Sequence, residues 1–164
     1  MEELRYPLGE FEWPAAVSGD ELELWIGEIE SAPARLRAAV TGLSDAQLDT
    51  RYRPEGWTLR QVVHHVADSH MNSYIRFKLA LTEDNPAIKP YDEARWAELP
   101  EAKSGPVELS LALLERLHAR WVAVLRSMDA SALSRTLQHA ELGRIRLDVQ
   151  TGLYAWHGNH HIAH

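Results

Sequence analysis

Cysteine is absent from the 164 residues of this sequence, which excludes disulfide bonds, zinc–thiolate sites and a thiol nucleophile carried by the chain itself. Any metal ion must therefore be bound through nitrogen and oxygen atoms. The sequence also lacks an apolar run approaching the roughly 20 residues that span a bilayer, and its first residues do not resemble a secretion signal. We expect a cytoplasmic protein with no membrane partner.

Positive charge is scarce as well. Lysine and arginine total 17 against 24 aspartate and glutamate residues, which gives a formal net charge of −7. Proteins that bind nucleic acid carry a basic patch, and this sequence has no basic block, so we expect no nucleic-acid partner. A small-molecule substrate is the expected partner instead.

The composition is that of one globular domain, with 45% hydrophobic and 25% charged residues. We therefore assign residues 1–164 to a single domain. Within it, residues 1–19 are predicted to form an extended N-terminal arm, because Pro7, Gly9 and Pro14 disfavour a helix there. This arm is expected to carry no chemistry.

Four later stretches carry apolar residues at the spacing of an α-helix. They extend from Asp20 to about Gly42, from Thr58 to about Asp84, from Pro106 to about Met128, and from Asp148 onward. Pro33 is predicted to kink the first helix, and Asp148 to cap the last. Thr58 and Gln61 have the spacing of a capping box at the start of the second. Four such helices predict an all-α four-helix bundle.

Two connections between these helices are predicted to have structure of their own. Residues Pro86–Gly105 form a link of roughly 20 residues, which exceeds an ordinary loop and indicates short extra helices or a functional flap. Arg135–His139 and Arg144–Leu147 bracket a turn and are predicted to form a small hairpin, although strands of this length are not stable alone.

Histidine is the most unusual feature of the composition, with nine residues in all. Seven of them lie in two short segments: His64, His65 and His70, then His157, His160, His161 and His164. Residues four apart share one face of a helix, so the last helix offers the pairs His157 with His161 and His160 with His164. A third histidine from a neighbouring helix would leave a metal with an open coordination position, as in catalytic sites. Spacing alone does not choose between the two pairs.

The second helix supplies the candidates for that third ligand. His70 falls within its apolar stripe, whereas His65 lies on the flank of the stripe, where a polar face beside the core predicts a cavity wall. The polar residues aligned with His65 on this flank are Asp68, Ser69, Asn72 and Arg76. For His64, His70 and His118 the favoured alternative is a core histidine with its hydrogen bonds satisfied. His139 is predicted to be a surface loop residue.

Three stretches of the sequence together resemble a known family. They are residues 56–78 (GWTLRQVVHHVADSHMNSYIRFK), residues 90–93 (PYDE) and residues 154–164 (YAWHGNHHIAH). In this order, and along nearly the whole chain, they resemble the signature of the YfiT-like branch of the DinB superfamily. The resemblance implies an up-down-down-up four-helix bundle, usually a homodimer, which holds one divalent zinc or nickel ion on three histidines.

The resemblance also implies which histidines bind the metal. Position by position, the family's ligands match His65 on the second helix and His157 and His161 on the last. His64, His160 and His164 then support or line the site, and His164 stands where many relatives carry glutamine.

Two activities are compatible with this resemblance. It implies metal-dependent hydrolysis, because members of this branch are named metal-dependent hydrolases. It also implies thiol transfer, because the better-understood relatives in the superfamily are thiol-dependent transferases. A metal on three neutral imidazoles can lower the pKa of bound water or deprotonate a bound thiol. Hydrolysis usually needs a positioned general base, and the sequence shows no clear one: Asp68 is the nearest carboxylate, but it is equally suited to orient an imidazole.

The leading prediction is therefore a metal-dependent S-transferase that joins a bacillithiol-like, low-molecular-weight thiol to an electrophile. A metal-dependent hydrolase of a small amide or ester is the alternative, and a non-catalytic metal-binding dimer is the third possibility. Asn72 and Arg76 are predicted to bind the carboxylates of the thiol, with an ordinary surface charge as the alternative for Arg76.

Overall fold

The computed structural model describes residues 2–164 and contains, within them, nine helices and one two-stranded hairpin. In chain order these are α1 (Glu2–Arg5), α2 (Gly19–Val40), α3 (Asp45–Leu48), α4 (Leu59–Thr82), α5 (Glu93–Ala97), α6 (Pro100–Ser104), α7 (Val107–Ser127), α8 (Ala130–Leu133), β1 (Thr136–His139), β2 (Gly143–Arg146) and α9 (Leu147–Ala163). The four long helices, α2, α4, α7 and α9, form the bundle, and the all-α prediction is confirmed.

Two pairs of neighbouring helices are antiparallel. Along α2 with α7, and along α4 with α9, the residue numbers of touching side chains run in opposite directions. The contacts are Glu30 with Arg126, Arg37 with Glu108, His65 with His161, and Ser69 with Tyr154.

The other two neighbouring pairs are parallel. Along α2 with α9, and along α4 with α7, the residue numbers of facing groups rise together. The contacts are Trp25 with Gly152, Ala32 with Gly158, His64 with Ser110, and His70 with His118. With α2 pointing up, α4 and α7 therefore point down and α9 points up, which confirms the up-down-down-up bundle.

This topology explains the long connection between α4 and α7. Because these helices are parallel, the chain must return along the roughly 36 Å length of a 24-residue helix before α7 begins. Helices α5 and α6 cover that distance, as the prediction of short extra helices requires. The return places α5 beside α4, close to the histidine-bearing segments.

Local signals in the sequence locate α4 and the hairpin. The Thr58 hydroxyl accepts a hydrogen bond from the Gln61 amide at 3.1 Å, and the Gln61 side chain accepts one from the Thr58 amide at 3.0 Å. This capping box confirms the predicted start of α4. The predicted hairpin is also confirmed, and Gly143, with φ of +77°, supplies the left-handed conformation at its turn.

Two details differ from expectation. The predicted cap by Asp148 is wrong, because α9 begins at Leu147 and Asp148 lies in its first turn, where its carboxylate accepts from the Val149 amide. Helix α2 continues through Pro33, which is buried, and the kink there stays a prediction. In the predicted arm, Glu2–Arg5 form α1 instead of extended chain, since this stretch contains neither proline nor glycine.

The core of the bundle has two apolar clusters. One surrounds Trp121 and Phe77, which are fully buried, and the other surrounds Leu114 and Val63, where α4 packs against α7. His70 lies against the edge of Trp121, with ring centroids 5.6 Å apart, so the polar part of the molecule begins directly beside this core. Among residues 2–164, no helix combines the length and apolar character needed to cross a membrane.

Candidate metal centre

Three histidines from two antiparallel helices meet at one point. His65 lies on α4, and His157 and His161 lie one turn apart on α9. One ring nitrogen from each lies within 4.8 Å of the other two. The Nε2 atoms of His65 and His157 are 3.3 Å apart. The structure therefore brings together all three residues that the resemblance assigned as ligands.

The dimensions of this group fit a tetrahedral metal. With metal–nitrogen bonds of about 2.0–2.1 Å, two ligands of a tetrahedral zinc ion are about 3.3–3.4 Å apart, and the Nε2 atoms of His65 and His157 have that separation. Within residues 2–164, the group contains three histidines and no fourth histidine, aspartate or glutamate. Three nitrogen donors with no fourth protein ligand are the donor set of an open metal site.

The clustered histidines are held in the neutral form. Burial, together with the nearby His160 and His164, lowers the pKa of His65 to about 4. Burial also lowers the pKa of His157 and of His161 well below 6.5, and neighbouring histidines add to the effect. Because a metal ion binds only the neutral imidazole, the cluster needs no proton release at neutral pH.

A chain of hydrogen bonds runs from the cluster into the core. The Nδ1 atom of His118 lies 2.6 Å from the carbonyl oxygen of Ile29, and its Nε2 lies 2.8 Å from Nδ1 of His70. Nε2 of His70 in turn lies 3.1 Å from Nδ1 of His157. We call His118, His70 and His157 the buried histidine chain.

The inner end of the buried histidine chain, at His118, determines which nitrogen donates and which accepts in each of its hydrogen bonds. A carbonyl oxygen can only accept, so Nδ1 of His118 must donate to Ile29. Each neutral ring carries one proton, so Nε2 of His118 accepts from His70, and Nε2 of His70 accepts from His157. Nε2 of His157 therefore keeps a free lone pair, and it points into the cluster beside His65. The Ile29 carbonyl thus determines which nitrogen of His157 can bind a metal.

The second histidine pair of α9 forms a different group. His160, His161 and His164 also bring ring nitrogens within 4.8 Å of one another. His164 stacks on Tyr52 with centroids 4.1 Å apart, and His160 stacks on Trp156 at 4.7 Å. This group includes no residue of α4, so only the pair His157 with His161 has a third histidine from another helix.

His64 has the environment of a core histidine. Its Nε2 donates to the Gly105 carbonyl at 2.9 Å, and its Nδ1 accepts from the Ser110 hydroxyl at 2.6 Å. Both ring nitrogens are thus satisfied away from the cluster. The core interpretation holds for His70 and His118 as well, but their hydrogen bonds extend to a candidate ligand. His139 ends β1 and is partly buried.

Two cavities meet at the histidine cluster. The first, of about 380 Å³, is lined by His157, His161 and the arm residues Arg5 and Tyr6, and we call it the histidine cavity. The arm that was expected to carry no chemistry therefore forms part of its wall. A larger groove of about 810 Å³ lies elsewhere, between α2 and α9, and contains none of the clustered histidines.

The second cavity, of about 410 Å³, is lined by Arg76, Tyr91, Gln150 and again His157. We call it the Arg76 cavity. Arg76 is only 8% exposed, so it is not an ordinary surface charge. Glu93 and His157 line both cavities and form the boundary between them.

Of the other polar residues of the α4 flank, Ser69 lines the Arg76 cavity, whereas Asn72 and Asp68 line neither cavity. The Asn72 side chain donates to the carbonyl of Asp68 at 2.8 Å, and Asn72 lines neither cavity. Burial and the nearby Glu101 raise the pKa of Asp68 to about 6, although His64 lowers it. Asp68 lines neither cavity either. A role for Asn72 in binding a thiol stays a prediction.

Glu93 is the last residue of the PYDE segment in the family resemblance, but the sequence analysis assigned it no role. It begins α5, and Asp92 caps this helix by accepting from the Arg95 amide. Although the residue is exposed overall, desolvation of its carboxyl raises its pKa, and Asp92 and Glu141 raise it further. The available signals were its place in the PYDE segment and in an unusually long connection, but sequence spacing does not show which helix that connection crosses.

Comparisons with known proteins show the family of this chain and relatives that are named as metal-dependent. The model of the DinB superfamily matches residues 28–164. A protein of Bacillus cereus and one of Bacillus thuringiensis, both named "Putative metal-dependent hydrolase", are each 56% identical over 164 residues, which covers 100% of this chain and 94% of each relative.

A solved structure extends the agreement to the fold. YfiT from Bacillus subtilis, described as "a probable metal-dependent hydrolase with an unusual four-helix bundle topology", is 51% identical with a TM-score of 0.96. The match covers 98% of this chain and 93% of YfiT. On the sequence matches and the shared topology, the chain belongs to the DinB superfamily.

Proposed function

We propose that this protein is a metal-dependent hydrolase of a small amide or ester, with a zinc or nickel ion held by His65, His157 and His161. The observation that carries the proposal is the position of Glu93, which lines the same cavity as two of these histidines. A carboxylate beside an open metal site is the arrangement that hydrolysis requires.

The histidines and their supports hold the ion in a fixed place. When bound, the ion supplies Lewis acidity, which polarises a carbonyl group and lowers the pKa of water. His65 and His157 direct their Nε2 atoms toward one point, and His70 fixes the ring of His157 from behind. Trp57 packs against His65 with ring centroids 4.7 Å apart and limits its movement.

Glu93 acts as the general base in this proposal. Its carboxylate takes a proton from the attacking water while the water oxygen bonds to the carbonyl carbon. It then returns that proton to the leaving nitrogen or oxygen as the scissile bond breaks. Its raised pKa brings the carboxyl closer to neutral pH, which suits a group that both accepts and donates a proton.

This proposal reverses the order that the sequence favours. Thiol transfer led there because no general base was evident, and Glu93 supplies the missing group. Thiol transfer stays the second candidate, since two cavities meet at Glu93 and His157 and each has room for one reactant. A bacillithiol-like thiol would occupy one cavity and its electrophile the other. The homodimer and the cytoplasmic location stay predictions.

The test is to replace Glu93 and compare it with a carboxylate outside the cavities. Glu93→Gln removes the base, whereas Glu98→Gln changes an exposed carboxylate that pairs with Lys103. Hydrolysis of p-nitrophenyl acetate and p-nitroacetanilide is measured for both, together with metal content. We expect Glu93→Gln to lose about 10²- to 10⁴-fold in kcat with its metal retained, and Glu98→Gln to match the wild type.

Two results would contradict the proposal, the first by excluding Glu93 as the general base and the second by excluding hydrolysis. One is equal turnover by Glu93→Gln and the wild type. The other is turnover only when a thiol is added: conjugation of bacillithiol to 1-chloro-2,4-dinitrobenzene that is lost in His65→Ala would establish the transferase instead.

A further inference from the structure

Two buried arginines of α4 have contrasting surroundings. Arg60 is 5% exposed, and its guanidinium pairs with Asp45 at 2.8 Å and with Asp49 at 2.7 Å. Arg76 is 8% exposed, and its guanidinium makes one hydrogen bond, to the carbonyl of Lys89 at 3.2 Å. Among residues 2–164, no carboxylate oxygen lies within the 4.0 Å of an ion pair with Arg76.

An unpaired buried guanidinium is costly, because the charge loses its hydration and gains no counter-ion in return. Four of its five N–H donors have no protein acceptor in the described structure. Arg76 faces a cavity, so an anion bound there can accept the hydrogen bonds that the guanidinium does not make to the protein.

Other unpartnered polar groups line the same cavity. The hydroxyl of Tyr91 and the amide oxygen of Gln150 are buried and make no hydrogen bond of ordinary geometry among the described residues, and the Ser69 side chain lies near the Tyr91 hydroxyl. Burial raises the pKa of Tyr91 well above its usual value, so the hydroxyl stays protonated and able to donate. A second donor thus accompanies the guanidinium of Arg76.

The charge of the wall favours one kind of anion. Asp92, Glu93 and Glu141 also line the cavity and are exposed at its rim. They would repel a phosphate group, which places two negative charges at Arg76, whereas a planar carboxylate places a single charge there and matches the guanidinium with two parallel hydrogen bonds. The volume of about 410 Å³ suits a small molecule.

We propose that the Arg76 cavity binds the carboxylate of a small substrate, with Arg76 and Tyr91 as donors, and so selects substrates that carry a carboxylate. The cavity ends at His157, so the other end of such a molecule reaches the histidine cluster. That second statement rests on the proposed function, because it makes the cluster the place where the bond is cleaved.

Calorimetric binding of glutarate, a dicarboxylate, and of glutaramide, its neutral analogue, tests the proposal without turnover. The full-length, metal-loaded protein is titrated as wild type, Arg76→Gln and Arg144→Gln, the last being an exposed arginine of β2. We expect the wild type and Arg144→Gln to bind glutarate at least about tenfold more tightly than Arg76→Gln, which loses a charge-assisted pair. Glutaramide should bind all three weakly and equally.

Stability and metal content complete the test. If Arg76 is an unpaired charge kept for binding, Arg76→Gln unfolds at the same or a higher temperature than the wild type. Arg76→Lys keeps the charge without the planar fork and should bind glutarate with intermediate affinity. Elemental analysis of each variant shows that the metal is retained.

Equal glutarate affinity in the wild type and Arg76→Gln would overturn the proposal, since the carboxylate would then be bound elsewhere, for example on the metal. Absence of glutarate binding to the wild type would overturn it too. Neither result depends on hydrolysis: an inactive protein that binds glutarate through Arg76 would contradict the proposed function alone.

Discussion

The two antiparallel interfaces of this bundle have opposite chemistry. Between α2 and α7 the inner face is apolar apart from His118, with Ile29, Leu114 and Trp121 fully buried. Between α4 and α9 the inner face carries His65, His157 and other polar groups. The two interfaces are joined by the buried histidine chain, which ends on a backbone carbonyl of α2.

The contrast shows how a small bundle can keep reactive groups. Clustered lone pairs and an unpaired guanidinium contribute nothing to folding and cost free energy when buried. Apolar packing contributes about 25 cal/mol per Å² of surface removed from water, so the α2–α7 side supplies stability while the α4–α9 side holds the site. Substitutions on the α2–α7 side should therefore change the free energy of unfolding, and substitutions on the α4–α9 side should change metal binding.

The largest expected effect on stability comes from the apolar side. Leu114→Ala leaves a cavity at a residue that is 1% exposed, so the free energy of unfolding should fall by about 2–5 kcal/mol. Leu109→Ala, on the same helix but 69% exposed, should change it by less than about 0.5 kcal/mol. Urea unfolding measures both. Loss of metal from folded Leu114→Ala would contradict the separation of the two sides.

The next largest effect is the acid sensitivity of the buried histidine chain, which joins the two interfaces. Burial lowers the pKa of His118 from 6.5 to about 4, so the unfolded chain takes up the proton first as the pH falls. The resulting stability is fully present above pH 6.5 and is lost between pH 6.5 and about 4. Since a change of one in pKa corresponds to about 1.4 kcal/mol, the loss is roughly 3 kcal/mol.

Urea unfolding from pH 7 to pH 4, with a chelator present, measures this loss. His118→Gln keeps a donor for the Ile29 carbonyl but cannot titrate, so its stability should depend less on pH. An equally steep fall in His118→Gln would show that other groups account for the acid sensitivity.

A smaller effect tests whether the buried histidine chain strengthens metal binding at the histidine cluster. His70→Gln breaks the buried histidine chain beside His157, and loss of such a supporting hydrogen bond weakens metal binding by about 10- to 100-fold. His64→Gln is the matched control, because His64 is equally buried on α4 but bonds to Gly105 and Ser110. Competition with a chelator gives both affinities. Equal weakening in the two variants would mean that only general packing is involved.

Local signals in the sequence predicted much of the fold. Helical spacing located the four long helices, and Thr58 with Gln61 located the start of α4. His65, on the flank of its stripe, was predicted to line a cavity, but it is 4% exposed and lines neither the histidine cavity nor the Arg76 cavity. Asp148 was misplaced by two residues, because Arg146 occupies the cap position without a side-chain hydrogen bond and Asp148 bonds within the first turn.

The site depended on contacts between distant segments, which spacing does not reveal. The pair His157 with His161 could be chosen from a family resemblance but not from the helix period. Glu93 reaches the histidine cavity only because the connection between two parallel helices crosses that end of α4. The bond from His118 to the Ile29 carbonyl joins segments 89 residues apart and involves a backbone atom, which no side-chain motif reports.

The most direct test of the central claim is a zinc titration of metal-free protein, followed by calorimetry, for the wild type, His161→Ala and His139→Ala. His139 lies outside both histidine groups. We predict about one zinc ion per chain for the wild type and His139→Ala, and none at the same concentration for His161→Ala. Full zinc binding by His161→Ala, or none by the wild type, would contradict a metal centre formed by His65, His157 and His161.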